Sequence, residues 1–342
     1  MNLSKNVFEI YKKIIFLLPP ETAHVISLNL AEIVFKLWRK NQRKENEVMR
    51  SKKFMGIEFP NQLGLAAGFD KNGDYINFIS NIGLGFIEIG TVTPKPQYGN
   101  PKPRIFRLIQ DEAIINSLGF NNKGVKYLKK KLSKVERNQP IGINIGKNST
   151  TPIIDAHNDY KYCMDEIYHL ADYITLNISS PNTKDLRQLQ AESYFDNFLY
   201  NIKNHHQKLV SKFKKNIPLI VKISPDIEDN DLQSLCKLLI RYEVEGIIAT
   251  NTTISKPKNL ISKAKLQSGG LSGKPLLEKS NNLIKKVKNL VGDNITIIGA
   301  GGVTSSISAN TKLESGADLL QLYTGLVFHG TDLIKEITRS FR

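Results

Sequence analysis

Residues 295–302 read ITIIGAGG. Isoleucine and threonine favour a pleated, half-buried chain. The glycines that follow let the backbone turn sharply where a side chain would clash. A short apolar run stopped by glycine and followed by a helical stretch, SISANTKLESG (306–316), reads as one βα unit. Seven further runs share this form: LGLAAG (63–68), FIEIGT (86–91), IGINIG (141–146), YITLNI (173–178), PLIVKIS (218–224), GIIATN (246–251) and DLLQLY (318–323). Helical stretches such as DYINFISNI (74–82) and NLIKKVKNLVG (282–292) lie between them. Eight strands, each leading into a helix, predict an α/β fold, a (β/α)8 TIM barrel. An open sheet of eight parallel strands is the alternative that the spacing leaves standing. No tandem repeat or low-complexity tract interrupts the pattern.

The first 50 residues differ. LSKNVFEIYKKIIFLLPP (3–20) and ETAHVISLNLAEIVFKLWRK (21–40) read as two helices broken at Pro19-Pro20, with Glu21 and Thr22 suited to the second start. The second helix carries Val25, Ile26, Leu28, Leu30, Ile33, Val34 and Leu37, with Trp38 near its end. A stripe that wide seeks burial on more than one face. A charged linker, RKNQRKENEVMRSKK (39–53), follows. Two readings stay open: a hairpin packed on the main domain, or a hairpin that touches a bilayer and admits an apolar ligand. The predicted division is a helical hairpin, 1–45, and a barrel domain, 46–342.

Composition bounds the function. The 342 residues are 40% hydrophobic and 23% charged, an ordinary globular balance. The net charge of +16 has three readings: a lysine-rich compositional bias, attraction to an anionic membrane or substrate, or RNA binding. The lysines are scattered and not interleaved with aromatics, which weakens the third. No run reaches the roughly 18 apolar residues of a spanning helix, and neither a signal peptide nor nucleic acid is expected. Cys163 and Cys236 form no CxxC pair, so a reducing compartment with two incidental thiols is the reading. The six histidines (His24, His157, His169, His205, His206 and His329) show no metal spacing, and His205-His206 read as helix-surface residues. With no HExxH, GxSxG or P-loop motif, no metal is expected.

A barrel of this kind works at the C-terminal ends of its strands. There the sequence places Gly68 and Lys71, then Thr91, Asn144, Asn177, Lys222, Thr250-Asn251-Thr252, Gly301-Gly302 and Tyr323-Thr324. The glycines after the last two strands suit a phosphate, which backbone N–H groups and a helix N-terminus can hold. Tight turns are the plainer explanation. Lys222 sits inside an apolar run, where a cation is costly without an anionic partner. A closed barrel has no edge strand to receive it, so an inward lysine opposing developing negative charge is the functional reading. TPKPQYGNPKPRIFRL (93–108) belongs to a connection too long for a simple βα link, as functional loops often are.

These motifs taken in order (LAAGFDKNG, IGTVTPKPQYGNPKPRIFRL, INSLGFNNKG, NISSPNT, VKISPD, ATNTT, GGLSGKPL, GAGGV, LYTGLVFHG) resemble those of the dihydroorotate dehydrogenases. The resemblance runs from about residue 54 to the C-terminus. Two features resemble the quinone-dependent, membrane-associated class: the N-terminal helical extension, and Ser180 where the soluble class carries cysteine. The resemblance implies FMN at the barrel mouth, contacted by Ala67, Gly68, Lys71, Thr91, Asn144, Asn177, Lys222, Thr250, Gly273, Gly302, Tyr323 and Thr324. It implies dihydroorotate held by Lys71, Asn116, Ser117, Leu118, Gly119, Phe120, Asn177, Asn182, Asn251 and Thr252. Asparagine suits that ring, because it both donates and accepts. Ser180 would take the C5 proton, with Thr183 and Phe120 on the proton path, since a serine hydroxyl alone is a poor base. His24, Arg107 and Tyr323 would meet a membrane quinone entering between the helices. The implied role is oxidation of dihydroorotate to orotate in de novo pyrimidine (UMP) synthesis. The implied location is peripheral, on the cytoplasmic side of a bacterial cell membrane. Rival readings are a tRNA dihydrouridine synthase, a non-catalytic phosphate-binding barrel, and a soluble fumarate- or NAD-linked member of the same family.

Overall fold

The computed structural model describes residues 3–38 and 51–341. Most of the predicted charged linker, and the boundary at residue 45, lie outside them. Two helices come first, α1 (Leu3–Ile15) and α2 (Pro20–Trp38). Helix α2 begins on Pro20 itself, whose fixed φ suits a first helical position that needs no N–H. A small hairpin of β1 (Lys52–Phe54) and β2 (Ile57–Phe59) follows. Next come β3 (Leu63–Leu65), α3 (Ile76–Ile79), β4 (Phe86–Val92), β5 (Ile105–Leu108), β6 (Ala113–Asn116) and α4 (Val125–Leu132). The middle holds β7 (Ile141–Ile145), α5 (Ala156–Ile167), β8 (Tyr173–Asn177), α6 (Glu192–Phe213), β9 (Leu219–Ile223) and α7 (Asp229–Arg241). The last part holds β10 (Gly246–Ala249), β11 (Gly270–Gly273), α8 (Leu277–Val291), β12 (Thr296–Ala300), α9 (Ser306–Glu314), β13 (Leu319–Leu322), α10 (Thr324–His329) and α11 (Asp332–Ser340).

Strands β3, β4, β7, β8, β9, β10, β12 and β13 close into a parallel barrel in that order. They are the eight runs read from the sequence. Closure pairs Leu320 with Leu63 and Leu322 with Leu65, so the edges that an open sheet would leave bare are bonded. Alternation along each strand then divides the side chains. One set joins the large apolar shell beneath the helices. The other fills the barrel in layers. Its apolar layer is Phe86, Tyr173, Ile220, Ile248, Ile298 and Leu319, against which Phe59 packs. A polar layer of Glu88, Asn144, Thr175, Lys222 and Gln321 accompanies it, every member buried. Gly142 makes room for the Tyr173 ring, since a methyl there would land inside it. Gly142→Ala should therefore lower unfolding stability by about 1–3 kcal/mol, read by denaturant titration.

The structure differs from the sequence reading at several points. The stretch read as a helix over 74–82 is a short one of four residues. The long connection after β4 is not all loop: β5 and β6 pair within it, and β11 joins them in a three-stranded antiparallel sheet. His206 is not a surface residue. It is buried on the inner face of α6, 2.8 Å from the Ile217 carbonyl and 3.2 Å from the Tyr168 hydroxyl. Cys163 and Cys236 are both free and buried.

The hairpin of α1 and α2 is tied to the barrel mouth. Tyr11 donates to Ser27 at 2.6 Å, joining the two helices. Lys12 donates to the Phe328 carbonyl, and Phe16 stands edge-on to the Phe328 ring. Arg104 donates through Nε and Nη2 to Glu21 at 3.0 and 2.8 Å, and its Nη1 binds the Tyr98 and Asn100 carbonyls. The outward faces stay apolar: Ile10 is 62%, Leu17 85% and Leu37 70% exposed. Among the described residues, no helix is long and apolar enough to cross a membrane.

Candidate active site

A cavity of about 590 Å³ opens between the hairpin and the C-terminal ends of the barrel strands. That lies within the usual range for small-molecule sites. One wall is helical, with Phe8, Ile15, Ala23, His24 and Leu28. The other is the barrel mouth, from Ala67 round to Thr324. The barrel closure brings together residues far apart in sequence: Ala67, Gly68, Lys71, Thr91, Asn177, Lys222, Thr250, Gly273, Gly302, Tyr323 and Thr324 all line the cavity. So do Asn116, Leu118, Gly119, Phe120, Ser180, Asn182, Asn251 and Thr252, and at the helical side His24 and Arg107. Asn144, Ser117 and Thr183 are not part of the wall. Asn144 is fully buried behind it, bonded to Thr91 and Asn177.

Lys222 is buried, and among the described residues its side-chain nitrogen has no hydrogen-bond partner. Burial pulls its pKa down, and the Glu88 carboxylate offsets part of that. Its N–H donors thus line the cavity without a protein partner, which suits an acceptor-rich ligand edge. Thr252 Oγ1 and Gln321 Oε1, on two other cavity residues, are likewise buried without a partner. At the last strand ends, Gly273, Gly301 and Gly302 hold φ of +97°, +106° and +81°, conformations that L side chains rarely adopt. Thr324 donates to Ser272 across this corner at 2.9 Å.

Ser180 is buried, and its Oγ accepts the Asn182 N–H at 3.3 Å. Neighbouring Ser179 donates instead to Asn177 Oδ1 at 3.1 Å and accepts from Asn251 Nδ2 at 3.0 Å. Thr183 Oγ1 is buried without a partner. Phe120 adopts a left-handed φ of +53° on the opposite loop. Asn182 Nδ2 donates to the Asn116 carbonyl at 3.0 Å, joining the serine loop to the end of β6. Arg187 was not singled out from the sequence, yet it holds this loop. Its guanidinium binds the Ser179 and Thr252 carbonyls at 3.1 and 2.9 Å and pairs with Asp226 at 3.0 Å.

Lys71 donates to Asn121 Oδ1 at 2.8 Å. Burial, helped by the nearby Arg104 charge and opposed by Glu21, brings its pKa down to about 8. Its ammonium form therefore predominates below pH 8 and is lost as pH rises through that value. At the helical side, His24 Nε2 lies 2.8 Å from the Phe69 carbonyl, and its ring stands edge-on to Phe69. Burial lowers its pKa and favours the neutral ring. Phe69 in turn meets Tyr323 edge-on, with ring centroids 5.6 Å apart. Arg107 caps the Leu18 carbonyl, lies over the Phe16 ring at 4.5 Å, and keeps Nη1 buried without a partner. No group of three metal-ligating side chains occurs among the described residues.

The model of the dihydroorotate dehydrogenase family matches residues 49–342. A relative from Coxiella burnetii, named dihydroorotate dehydrogenase (quinone), is 45% identical over 323 residues, covering 94% of this chain and 93% of its own. One of the same name from Buchnera aphidicola is 47% identical over 334 residues, 97% of this chain and 99% of its own. Among solved structures, dihydroorotate dehydrogenase from Eimeria tenella in complex with ferulenol superposes with a TM-score of 0.86 at 33% identity. It covers 94% of this chain and 90% of its own.

Proposed function

This chain belongs to the dihydroorotate dehydrogenase family, and on that premise we propose that it oxidises dihydroorotate to orotate with FMN in the barrel mouth and a membrane quinone as acceptor. Its relatives carry the quinone-dependent name, and the chain is an oxidoreductase of that type. The pathway role that follows is the oxidation step of pyrimidine (UMP) synthesis.

The cavity residues fit FMN. Lys222, with its free donors, suits the electron-rich edge of the isoalloxazine ring, and the Gly302 and Thr324 corner suits the phosphate. Ala67, Gly68, Thr91, Thr250, Gly273 and Tyr323 would complete that contact. Asn144 would act from behind the wall, by holding Thr91 and Asn177. When bound, FMN supplies a two-electron acceptor for the substrate and a donor to the quinone. Lys71 would hold the substrate carboxylate, while Asn116, Asn177, Asn182, Asn251 and Thr252 read its amides, with the loop of Ser117, Leu118, Gly119 and Phe120 beside them. Ser180 would remove the C5 proton and pass it on through Thr183. The unpartnered Thr183 hydroxyl supports that path.

His24, Arg107 and Tyr323 would line the quinone entrance. The exposed apolar faces of α1 and α2 support a peripheral seat on a membrane, cytoplasmic in a bacterium. The division into an access hairpin, 1–45, and a catalytic barrel, 46–342, belongs to the same proposal.

The observation that carries this reading is the buried, unpartnered Lys222 facing a cavity whose other wall is the apolar hairpin. Purified protein should release stoichiometric FMN on heating and form orotate from dihydroorotate with a short-chain quinone. A protein free of flavin would overturn the reading. Lys71 adds a pH signature. The dissociation constant for dihydroorotate should climb as pH rises through about 8, where the ammonium is lost. Titrations at pH 7 and above pH 9 check it, and equal affinity at both removes Lys71 from carboxylate binding.

A further inference from the structure

Glu88 lies in the polar layer of the barrel with no exposed surface. Four neutral donors converge on its carboxylate. Asn144 Nδ2 reaches Oε1 at 2.8 Å. Gln321 Nε2, Thr175 Oγ1 and Tyr173 OH reach Oε2 at 2.9, 3.0 and 3.3 Å. Lys222, on the non-adjacent strand β9 of the same closed barrel, is buried in the same polar layer and bonds to no other side chain among the described residues. A buried ammonium needs an anion within reach.

An ionised carboxylate only accepts hydrogen bonds. That property gives the neighbouring amides a direction. Asn144 must turn its NH2 towards Glu88, which leaves Asn144 Oδ1 to accept from Thr91 Oγ1 at 2.5 Å and from Asn177 Nδ2 at 3.2 Å. Asn177 then presents Oδ1 to Ser179 Oγ at 3.1 Å and Asn251 Nδ2 at 3.4 Å. The chain of bonds ends on the residue before Ser180 and on the Asn251 loop.

We infer that Glu88 is a positioning residue for the reaction: its charge holds Lys222 as the ammonium and sets the polarity of the amide relay from Asn144 through Asn177 to Ser179 and Asn251. A neutral acceptor that could also donate would fix neither the lysine nor the relay. The group that Lys222 and Asn177 serve at the cavity is the cofactor of the proposed function, so the inference rests on that reading.

Glu88→Gln keeps the shape and removes the charge. FMN titrated into stripped protein, followed by its fluorescence, should bind roughly tenfold more weakly to this variant. In a Lys222→Met background the same change should cost clearly less, because the charge it serves is gone and only the relay is left to disturb. A Glu88→Gln variant with native affinity overturns the inference, as does an equal loss in both backgrounds. A direct reading needs no Glu88 variant to fold. In apo wild-type protein labelled at lysine Cε, the resonance missing from Lys222→Met should report an ammonium at neutral pH, and a neutral amine there overturns the inference. Wild-type protein that binds no FMN overturns the cofactor reading instead, and the lysine resonance still judges Glu88.

Discussion

Ser180→Ala should slow bleaching of the bound flavin by dihydroorotate by about 10²- to 10⁴-fold, the usual worth of a general base, with FMN still bound. The serine hydroxyl, the proposed base, contributes little to holding the fold. Its oxygen accepts one backbone N–H and lies in the cavity wall. The bonds that fix the loop are made by its neighbours: Ser179 to Asn177 and Asn251, Asn182 to Asn116, and Arg187 to the Ser179 carbonyl. Removing one buried hydroxyl from such a loop leaves its path unchanged. Stopped-flow absorbance of the anaerobic protein reads the rate directly. An unchanged rate would remove Ser180 from the chemistry, and a loss of FMN would make it structural.

Deleting residues 1–45 should separate the two halves of the reaction. Bleaching by dihydroorotate should persist, because the serine loop, Lys71, Lys222 and the asparagines all belong to the barrel. Turnover with a quinone should fall by about 100-fold or more, since the helical wall of the cavity, the proposed quinone entrance, is gone. His24, Phe16 and Leu28 leave with the hairpin, and Arg107 loses both the Leu18 carbonyl and the Phe16 ring. Full quinone turnover in the truncated chain would show that the acceptor meets the cofactor elsewhere.

The eight strands were legible because each is a short apolar run closed by a turn signal, glycine or asparagine in most and Ser224-Pro225 after β9, which is how a barrel strand meets its loop. The N-terminal hairpin was legible from its paired prolines and its wide apolar stripe. Strand β11 was not, since GLSG carries no β-branched residue and gains its partners only by folding back on β6. Lys222 stood out as a charge inside an apolar run. Glu88 in FIEIGT carries the same signal, a charge inside an apolar run, and it lies in the same buried polar layer as Lys222. Lys312 repeats the lesson: it is fully buried against Ser280 and Asn281 at 2.8 and 2.6 Å, yet its sequence reads as an ordinary helix surface. His206 could have been read from the stripe of Phe195, Phe198, Leu199, Ile202 and Leu209 that it joins. Contacts such as Glu21 with Arg104, or Arg187 with Asp226, were not readable at all. They join charges many residues apart, and only the folded path makes them neighbours.

The most direct test of the account is a two-stage anaerobic experiment on the intact chain. Dihydroorotate alone should bleach a yellow, FMN-loaded protein, and a quinone added next should restore the colour with orotate as the product. A flavin that dihydroorotate leaves oxidised, or that NADPH bleaches and tRNA restores, would contradict it.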